Sequence, residues 1–104
     1  MSIAASDQQH LTIPIRTTQI DIVTAGAFGD ELRAAVDRAA EVGAARLTLD
    51  LDGVTFIDSM GIGALLDART RCGALDCRLD VINAHRPVRL AFDVLGLLET
   101  FGLQ

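Results

Sequence analysis

The sequence predicts one α/β domain in which helices pack on a parallel or mixed sheet. Some segments place apolar residues at every second position, as strands do, and others at every third or fourth position, as helices do. These segments occur in the order strand, helix, strand, helix, strand, helix, which is typical of layered α/β folds. A chain of 104 residues with 50% hydrophobic residues is long enough to form one core.

The first unit of the chain is predicted to run from a strand into a helix. HLTIPIR, residues 10–16, alternates apolar and polar positions, and Pro14 favours an edge position or a bulge because it lacks an N–H. TTQIDIV, residues 17–23, is expected to add a short extended piece. A helix then runs to about Val42 from an N-cap at Thr24, and the following glycine ends it.

The second unit begins with RLTLDL, residues 46–51, whose leucines alternate as in a strand. After an Asp-Gly turn, the apolar run resumes in VTFI, residues 54–57. A helix is predicted from about Met60 to Cys72, with Gly73 as its stop.

The third unit is predicted to contain a strand in RLDVIN, residues 78–83. Pro87 suits the first turn of the helix that follows, Leu95 is expected on its buried face, and Gly96 closes it. LLETFGL, residues 97–103, is expected to pack onto the domain as a short apolar tail.

Composition favours a protein partner over nucleic acid, membrane or cofactor. All nine basic residues are Arg, so a Walker-type phosphate loop, a Schiff base and a catalytic lysine are excluded. The formal net charge of −5 and the absence of Trp and Tyr make nucleic-acid binding unfavourable. No apolar run is long enough to span a membrane, and the N-terminus does not resemble a secretory signal. We therefore expect a cytoplasmic protein in which residues 1–9 are a poorly ordered or extended part of the same domain.

The sequence offers two enzymatic interpretations, and it favours neither. LTLDLDGV resembles the first motif of haloacid-dehalogenase phosphatases, with Asp50 as nucleophile and Asp52 as acid/base, but that family requires a lysine and a longer chain. A nucleophilic Ser59 would need a base from His10 or His85, and no G-x-S-x-G elbow surrounds it. We expect no catalysis, no metal and no cofactor.

The cysteines Cys72 and Cys77 stand five positions apart in CGALDC. Zinc requires more ligands, and redox CxxC motifs have a tighter spacing. In a cytosolic chain the simplest interpretation is two reduced thiols, and a reversible disulfide is the alternative.

The stretch VTFIDSMGIGALLDA, residues 54–68, places Asp58 and Ser59 where a strand becomes a helix. Ser59 is a candidate helix cap, which would stabilise the helix by ~1 kcal/mol. A cap alone does not explain Asp58 or the paired glycines Gly61 and Gly63, which are expected to leave room for a partner to approach.

Three stretches resemble the STAS domain family, in particular its small anti-sigma factor antagonists. GVTFIDSMGIGALLDA, residues 53–68, resembles the family signature of an apolar strand, Asp-Ser-(Ser/Thr)-Gly-(Leu/Ile)-Gly and an apolar helix. IDIVTAGAFGDEL, residues 20–32, resembles the entry to the first helix, and PVRLAFDVLGLLETF, residues 87–101, resembles the last helix. The matching residues outside the signature are Asp21, Thr24, Ala25, Val88, Phe92, Asp93, Gly96 and Leu97.

This resemblance implies a mixed sheet of about four strands with helices packed on it. It also implies that the domain binds a cognate anti-sigma factor, usually a serine kinase, and so releases a sigma factor. Ser59 would be the phosphoacceptor, and a phosphatase would restore it. Met60 departs from the family pattern because it replaces the second Ser/Thr. The family's usual state is a monomer, and the expected partner-binding residues are Asp21, Thr24, Asp58, Ser59, Met60, Gly61, Ile62 and Gly63.

Two alternatives keep this fold and change the function or its control. The domain could be a STAS interaction module in another signalling complex, without a sigma factor. It could also be controlled by thiol redox chemistry at Cys72 and Cys77 instead of phosphorylation.

Overall fold

The computed structural model describes residues 10–103, so the prediction for residues 1–9 lies outside the described part of the chain. It confirms the α/β class. Within residues 10–103 the elements are β1 (His10–Pro14), β2 (Gln19–Ile20), α1 (Ala25–Val42), β3 (Arg46–Asp50), β4 (Phe56–Ile57), α2 (Ser59–Ala74), β5 (Arg78–Ile82) and α3 (Arg86–Val94).

The strands form two small parallel sheets. One sheet has the order β1-β3-β5, and the other pairs β2 with β4. Among residues 10–103 every strand pairing is parallel, whereas the resemblance implied one mixed sheet. The β1–β3 pairing continues towards β2–β4 through the bond from Ile15 N to Asp50 O (3.0 Å). A tight turn closed by Val54 N and Leu51 O (2.9 Å) then interrupts β3 before β4, which divides the ladder in two.

Pro14 was predicted at an edge or a bulge, and among residues 10–103 β1 is an edge strand of the three-stranded sheet. A proline at an edge removes no hydrogen bond from the sheet interior. Helices α1 and α2 pack against each other, and α2 also packs on β5. The largest fully buried side chains are those of Phe28, Phe92, Phe101, Ile20, Leu47, Leu49, Leu51, Ile62 and Leu65.

A polar network that the alternation of leucines did not predict lies within the three-stranded sheet. Thr48 is buried, and its hydroxyl donates to Asp80 Oδ1 at 2.7 Å. His10 Nε2 lies 2.9 Å from the same hydroxyl, and Arg46 Nε lies 3.2 Å from Asp80 Oδ2. The hydroxyl gives its one proton to Asp80, so it accepts from His10. The network therefore joins β1, β3 and β5.

Helix α1 begins and ends where predicted, but Thr24 does not cap it. Its backbone is already in the helical region, its side chain makes no capping bond, and its hydroxyl instead donates to Gln19 O at 2.6 Å. At the other end, Gly43 adopts a left-handed φ of 66°, which glycine tolerates without strain.

Helix α2 does not stop at Gly73 as predicted but continues to Ala74. The residue that reverses the chain is Asp76, with φ of 55°. Its N–H donates to Gly73 O (3.1 Å), and Cys77 N donates to Cys72 O (2.8 Å). These two bonds define a Schellman motif, so the helix ends through Asp76 without a glycine in the left-handed position.

The C-terminal segment packs onto the domain as predicted. Pro87 lies in the first turn of α3, and Gly96 follows the helix with φ of 70°. Phe101 is fully buried, meets Phe92 edge-to-face at 5.3 Å, and accepts a backbone bond from Val81 N at 2.9 Å. The tail therefore covers the free edge of β5.

Candidate functional site

The junction between β4 and α2 is built around Asp58. Its backbone is extended, and its Oδ1 accepts from Met60 N at 3.0 Å and from Gly61 N at 3.1 Å. The N–H of Asp58 donates to Ile20 O at 3.0 Å, which fixes it to β2. The prediction that Ser59 caps the helix is therefore wrong. A carboxylate one residue earlier reaches two free N–H groups of the first turn at once.

Ser59 is the first residue of α2, and its side chain is exposed. Asp58 satisfies two of the helix's free N–H groups, so the Ser59 hydroxyl has no capping task. It therefore faces solvent beside a carboxylate and at the positive end of a helix dipole. Such a hydroxyl can be reached by a modifying enzyme, and an anion attached there would be favoured by the dipole.

The two glycines of the signature have different roles. A Cβ atom on Gly61 would lie 2.6 Å from Ile20 Cγ2 and 2.6 Å from Ile57 Cγ1. A Cβ atom on Gly63 would meet nothing within 4 Å. Gly61 therefore lets the helix pack closely on β2 and β4, which corrects the expectation that both glycines leave room for a partner. Gly63 is the exposed one.

Asp21 and Thr24 fold the turn between β2 and α1. Asp21 Oδ1 accepts from Val23 N at 2.9 Å and from Thr24 N at 3.2 Å, and the Thr24 hydroxyl accepts from Asp21 N at 3.0 Å. The turn exposes Ile22 and Val23 by 75% and 86%. Since β2 and β4 are parallel, this turn lies at the same sheet edge as the start of α2.

An apolar groove of about 350 Å³ begins at Ser59 and runs along α3. Its outer wall is formed by Leu90, Val94 and Leu95, which are 59%, 75% and 52% exposed. The prediction that Leu95 lies on the buried face of α3 is wrong, because the helix ends at Val94 and Phe92 occupies the core instead. We define the apolar groove by its lining residues: Ile57, Asp58, Ser59, Ile62, Pro87, Leu90, Ala91, Val94 and Leu95.

The sequence did carry a signal for this groove. Val88 and Phe92 are four positions apart and buried, and Leu90 and Val94 form a second apolar pair with the same spacing. One apolar stripe is enough to pack a helix on the core of its domain, so a second apolar stripe remains exposed. The second stripe is the exposed wall of the groove.

The acidic residues and histidine at the carboxyl edge of the sheet hold turns. Asp50 Oδ1 accepts from Asp52 N at 2.9 Å and from Asn83 Nδ2 at 3.1 Å. His85 Nε2 lies 2.7 Å from Asp52 O and 3.0 Å from its Oδ1. Neither histidine of the chain hydrogen-bonds to Ser59 within residues 10–103. Over that same span, no group of three or more His, Cys, Asp or Glu converges as a metal site.

Cys72 and Cys77 are both buried and are free thiols. Burial, and then the neighbouring Cys77 thiol, raise the pKa of Cys72 from its ordinary 9.0 to about 12. Cys77 lies beside a cavity of about 590 Å³ whose wall also includes Arg69 and Arg78. This cavity lies near the C-terminal end of α2, and Ser59 is at the N-terminal end.

The observations define a class of protein: a small α/β domain that presents an Asp-Ser junction and an apolar groove at one sheet edge. The STAS domain family model matches residues 4–104, and the chain belongs to this family. No curated protein sequence matches the chain. Among residues 10–103, no helix combines the length and apolar character that crossing a bilayer demands.

Solved structures share the fold, among them the following two. A sulfate transporter family protein from Wolinella succinogenes superposes with a TM-score of 0.71 at 19% identity, over 90% of this chain and 72% of that one. SLC26A9 superposes with a TM-score of 0.58 at 23% identity, over 90% of this chain but only 17% of that one. At these identities the likeness concerns the fold.

Proposed function

We propose that this STAS domain is an anti-sigma factor antagonist that binds a cognate anti-sigma factor of the serine-kinase type, and that phosphorylation of Ser59 ends the binding. The observation that carries the proposal is the position of Ser59. An exposed hydroxyl without a capping task lies at the mouth of the apolar groove. Exposed apolar surfaces of this kind are typical of protein interfaces.

The electrostatics of the junction suit a switch that acts on the partner. A phosphoryl group adds roughly −1.5 to −2 charges. At the first residue of α2 this charge lies at the positive end of the helix dipole, so the domain stays folded. A partner surface that fills the groove would instead meet a charge that loses its water on contact, which is unfavourable. No conformational change of the domain is required.

Besides Asp58 and Ser59 at the junction itself, the predicted partner-binding residues divide into two groups under this proposal. Met60, half exposed, and Gly63 border Ser59 and touch the partner directly. Gly61 and Ile62 are buried, and Asp21 and Thr24 hold the turn that exposes Ile22 and Val23, so these four act by positioning the contact surface. A phosphatase acting on phosphorylated Ser59 would restore binding.

The test is a pull-down from host lysate with the wild-type chain and three variants, identifying retained proteins by mass. Wild type and Ser59→Ala should retain an ATPase-type kinase, and Ser59→Glu should lose it. Thr70→Glu adds the same charge to an exposed position near the other end of α2 and should retain the kinase. Thermal unfolding of all four should agree within the small range typical of surface changes. Retention of the same kinase by Ser59→Glu would overturn the switch.

A second candidate keeps the groove and changes the partner. The fold is shared with a sulfate transporter family protein, so a STAS domain also occurs outside sigma-factor regulation. In that case the groove would bind a protein of another signalling complex. The same pull-down separates the two candidates, because wild type would then retain a partner that is not a kinase.

A further inference from the structure

We propose that Cys72 and Cys77 form a redox pair that an anionic low-molecular-weight disulfide oxidises to an intramolecular disulfide. The pair lies outside the proposed phosphorylation site. Cys72 lies thirteen positions after Ser59 in α2, which at a rise of 1.5 Å per position is about 20 Å. The two sites can therefore be tested separately.

The helix ending brings the two cysteines together. A Schellman motif contains one hydrogen bond that spans six residues. The side chains of the first and last of these six residues frequently contact each other. Here those residues are Cys77 and Cys72, joined by a backbone bond of 2.8 Å. Both side chains also belong to the same buried core cluster. A disulfide needs Cα atoms within about 7 Å of each other, and a direct backbone hydrogen bond between the two residues allows this.

The two thiols differ in access. Cys72 is fully buried, whereas Cys77, at 5% exposed, lines the cavity of about 590 Å³ and also a second cleft of about 280 Å³. Cys77 is therefore the sulfur that a small oxidant meets first. Cys72 can react only with a group already attached to Cys77.

The residues that line the larger cavity indicate the chemistry of the oxidant that it would bind. Arg69 and Arg78 line it, and neither forms an ion pair within residues 10–103. Two unpaired guanidinium groups favour carboxylates. Glu99 lines the same cavity and can accept from an ammonium group. A peptide disulfide with free carboxylates and an ammonium group fits this lining.

The chemistry balances as two thiol–disulfide exchanges. The Cys77 thiolate attacks one sulfur of the small disulfide, whose S–S bond breaks, and the released thiolate takes up the proton that Cys77 lost. Cys77 then carries no charge, so its contribution to the raised pKa of Cys72 disappears. Cys72 loses its proton to solvent and attacks the Cys77 sulfur, and the second small thiolate leaves and takes up a proton. Two protein thiols are oxidised, and one small disulfide is reduced to two thiols.

The first experiment incubates the full reduced chain with glutathione disulfide and counts thiols. We expect the count to fall from two to zero, with a mass loss of two hydrogens and no glutathione adduct. Cleavage before Asp76 separates the two cysteines in the sequence, so a linkage that survives cleavage identifies the disulfide. Two unreacted thiols, or an adduct that persists on the wild-type chain, would overturn the proposal.

Single variants test the order of attack. Cys72→Ala should stop at a mixed disulfide on Cys77, and Cys77→Ala should not react. Thermal unfolding first establishes that each variant is folded. If a variant does not fold, the wild-type experiment still decides whether the disulfide forms. A Cys77→Ala variant that is folded and takes up glutathione on Cys72 would contradict the assigned order.

Removing the positive charges of the cavity tests whether the oxidant reaches Cys77 through it. Arg69→Gln with Arg78→Gln should slow oxidation by glutathione disulfide about tenfold, in the range that electrostatic attraction supplies. Oxidation by cystamine, a cationic disulfide, should not slow. Equal rates of the double variant and wild type with glutathione disulfide would refute the cavity as the route.

Discussion

Gly61→Ala is the sharpest test of how the Asp-Ser junction is held against the sheet. The new Cβ would lie 2.6 Å from Ile20 Cγ2 and from Ile57 Cγ1, about 1 Å inside ordinary contact. Ile20 Cγ2 sits on a branched, fully buried side chain, so it cannot yield without a backbone shift. Overpacking of this kind costs about 1–3 kcal/mol, against a gain of about 1 kcal/mol from the better helix former. We expect the free energy of unfolding to fall by up to about 2 kcal/mol.

Gly63→Ala provides the matched control, because it makes the same change one half-turn away, where a Cβ meets nothing within 4 Å. We expect that variant to be more stable by up to about 1 kcal/mol. Urea unfolding of both variants measures the two effects. The shift of the midpoint urea concentration gives the change in stability, provided that the dependence of the unfolding free energy on urea is unchanged. Equal stability of the two variants would refute the close packing of α2 on Ile20 and Ile57.

Three further predictions concern the cap, the polar network and the buried thiol. Asp58→Ala should lower the free energy of unfolding by about 1 kcal/mol, since two N–H groups lose their acceptor, whereas Ser59→Ala should change it by less than about 0.5 kcal/mol. Thr48→Val should lower it by about 1–3 kcal/mol because it removes the hydroxyl that links His10 and Asp80; no change in thermal unfolding would show the network to be dispensable. The raised pKa of Cys72 means that the unfolded chain loses this proton from about pH 9 and the folded domain only near pH 12, so stability should decline as pH rises between them. Denaturant titrations at several pH values should show a smaller decline for Cys72→Ala. The same dependence of stability on pH in this variant and in wild type would contradict the prediction.

The sequence was sufficient to predict the elements whose signals are local. The alternation of apolar residues located β1, β3 and β5, and Gly43 marked the end of α1 because a left-handed residue is needed there. Pro14 indicated an edge position or a bulge for an equally local reason, the missing N–H, and within residues 10–103 β1 is an edge strand.

The sequence was not sufficient where a residue's role depends on a distant neighbour. Thr48 occupies a polar position of an alternating strand, and only the arrival of Asp80, 32 residues later, explains its burial. Gly61 and Gly63 look equivalent in the sequence, yet only the first meets Ile20 across the sheet. The end of α2 was misplaced because Asp76 adopts the conformation usually given to glycine.

Under the proposed function, the order of Asp58 and Ser59 gives the junction two separate tasks. If the serine were the cap, attaching a phosphoryl group would remove the acceptor that holds the first turn, and modification would alter the helix itself. Because Asp58 Oδ1 accepts from both Met60 N and Gly61 N, the helix start is complete without the serine hydroxyl. A phosphoryl group can then be attached to the hydroxyl or removed from it while the fold and the apolar groove keep their shape. An exposed Ser59 beside a groove of unchanged shape is the arrangement that a reversible block on partner binding requires.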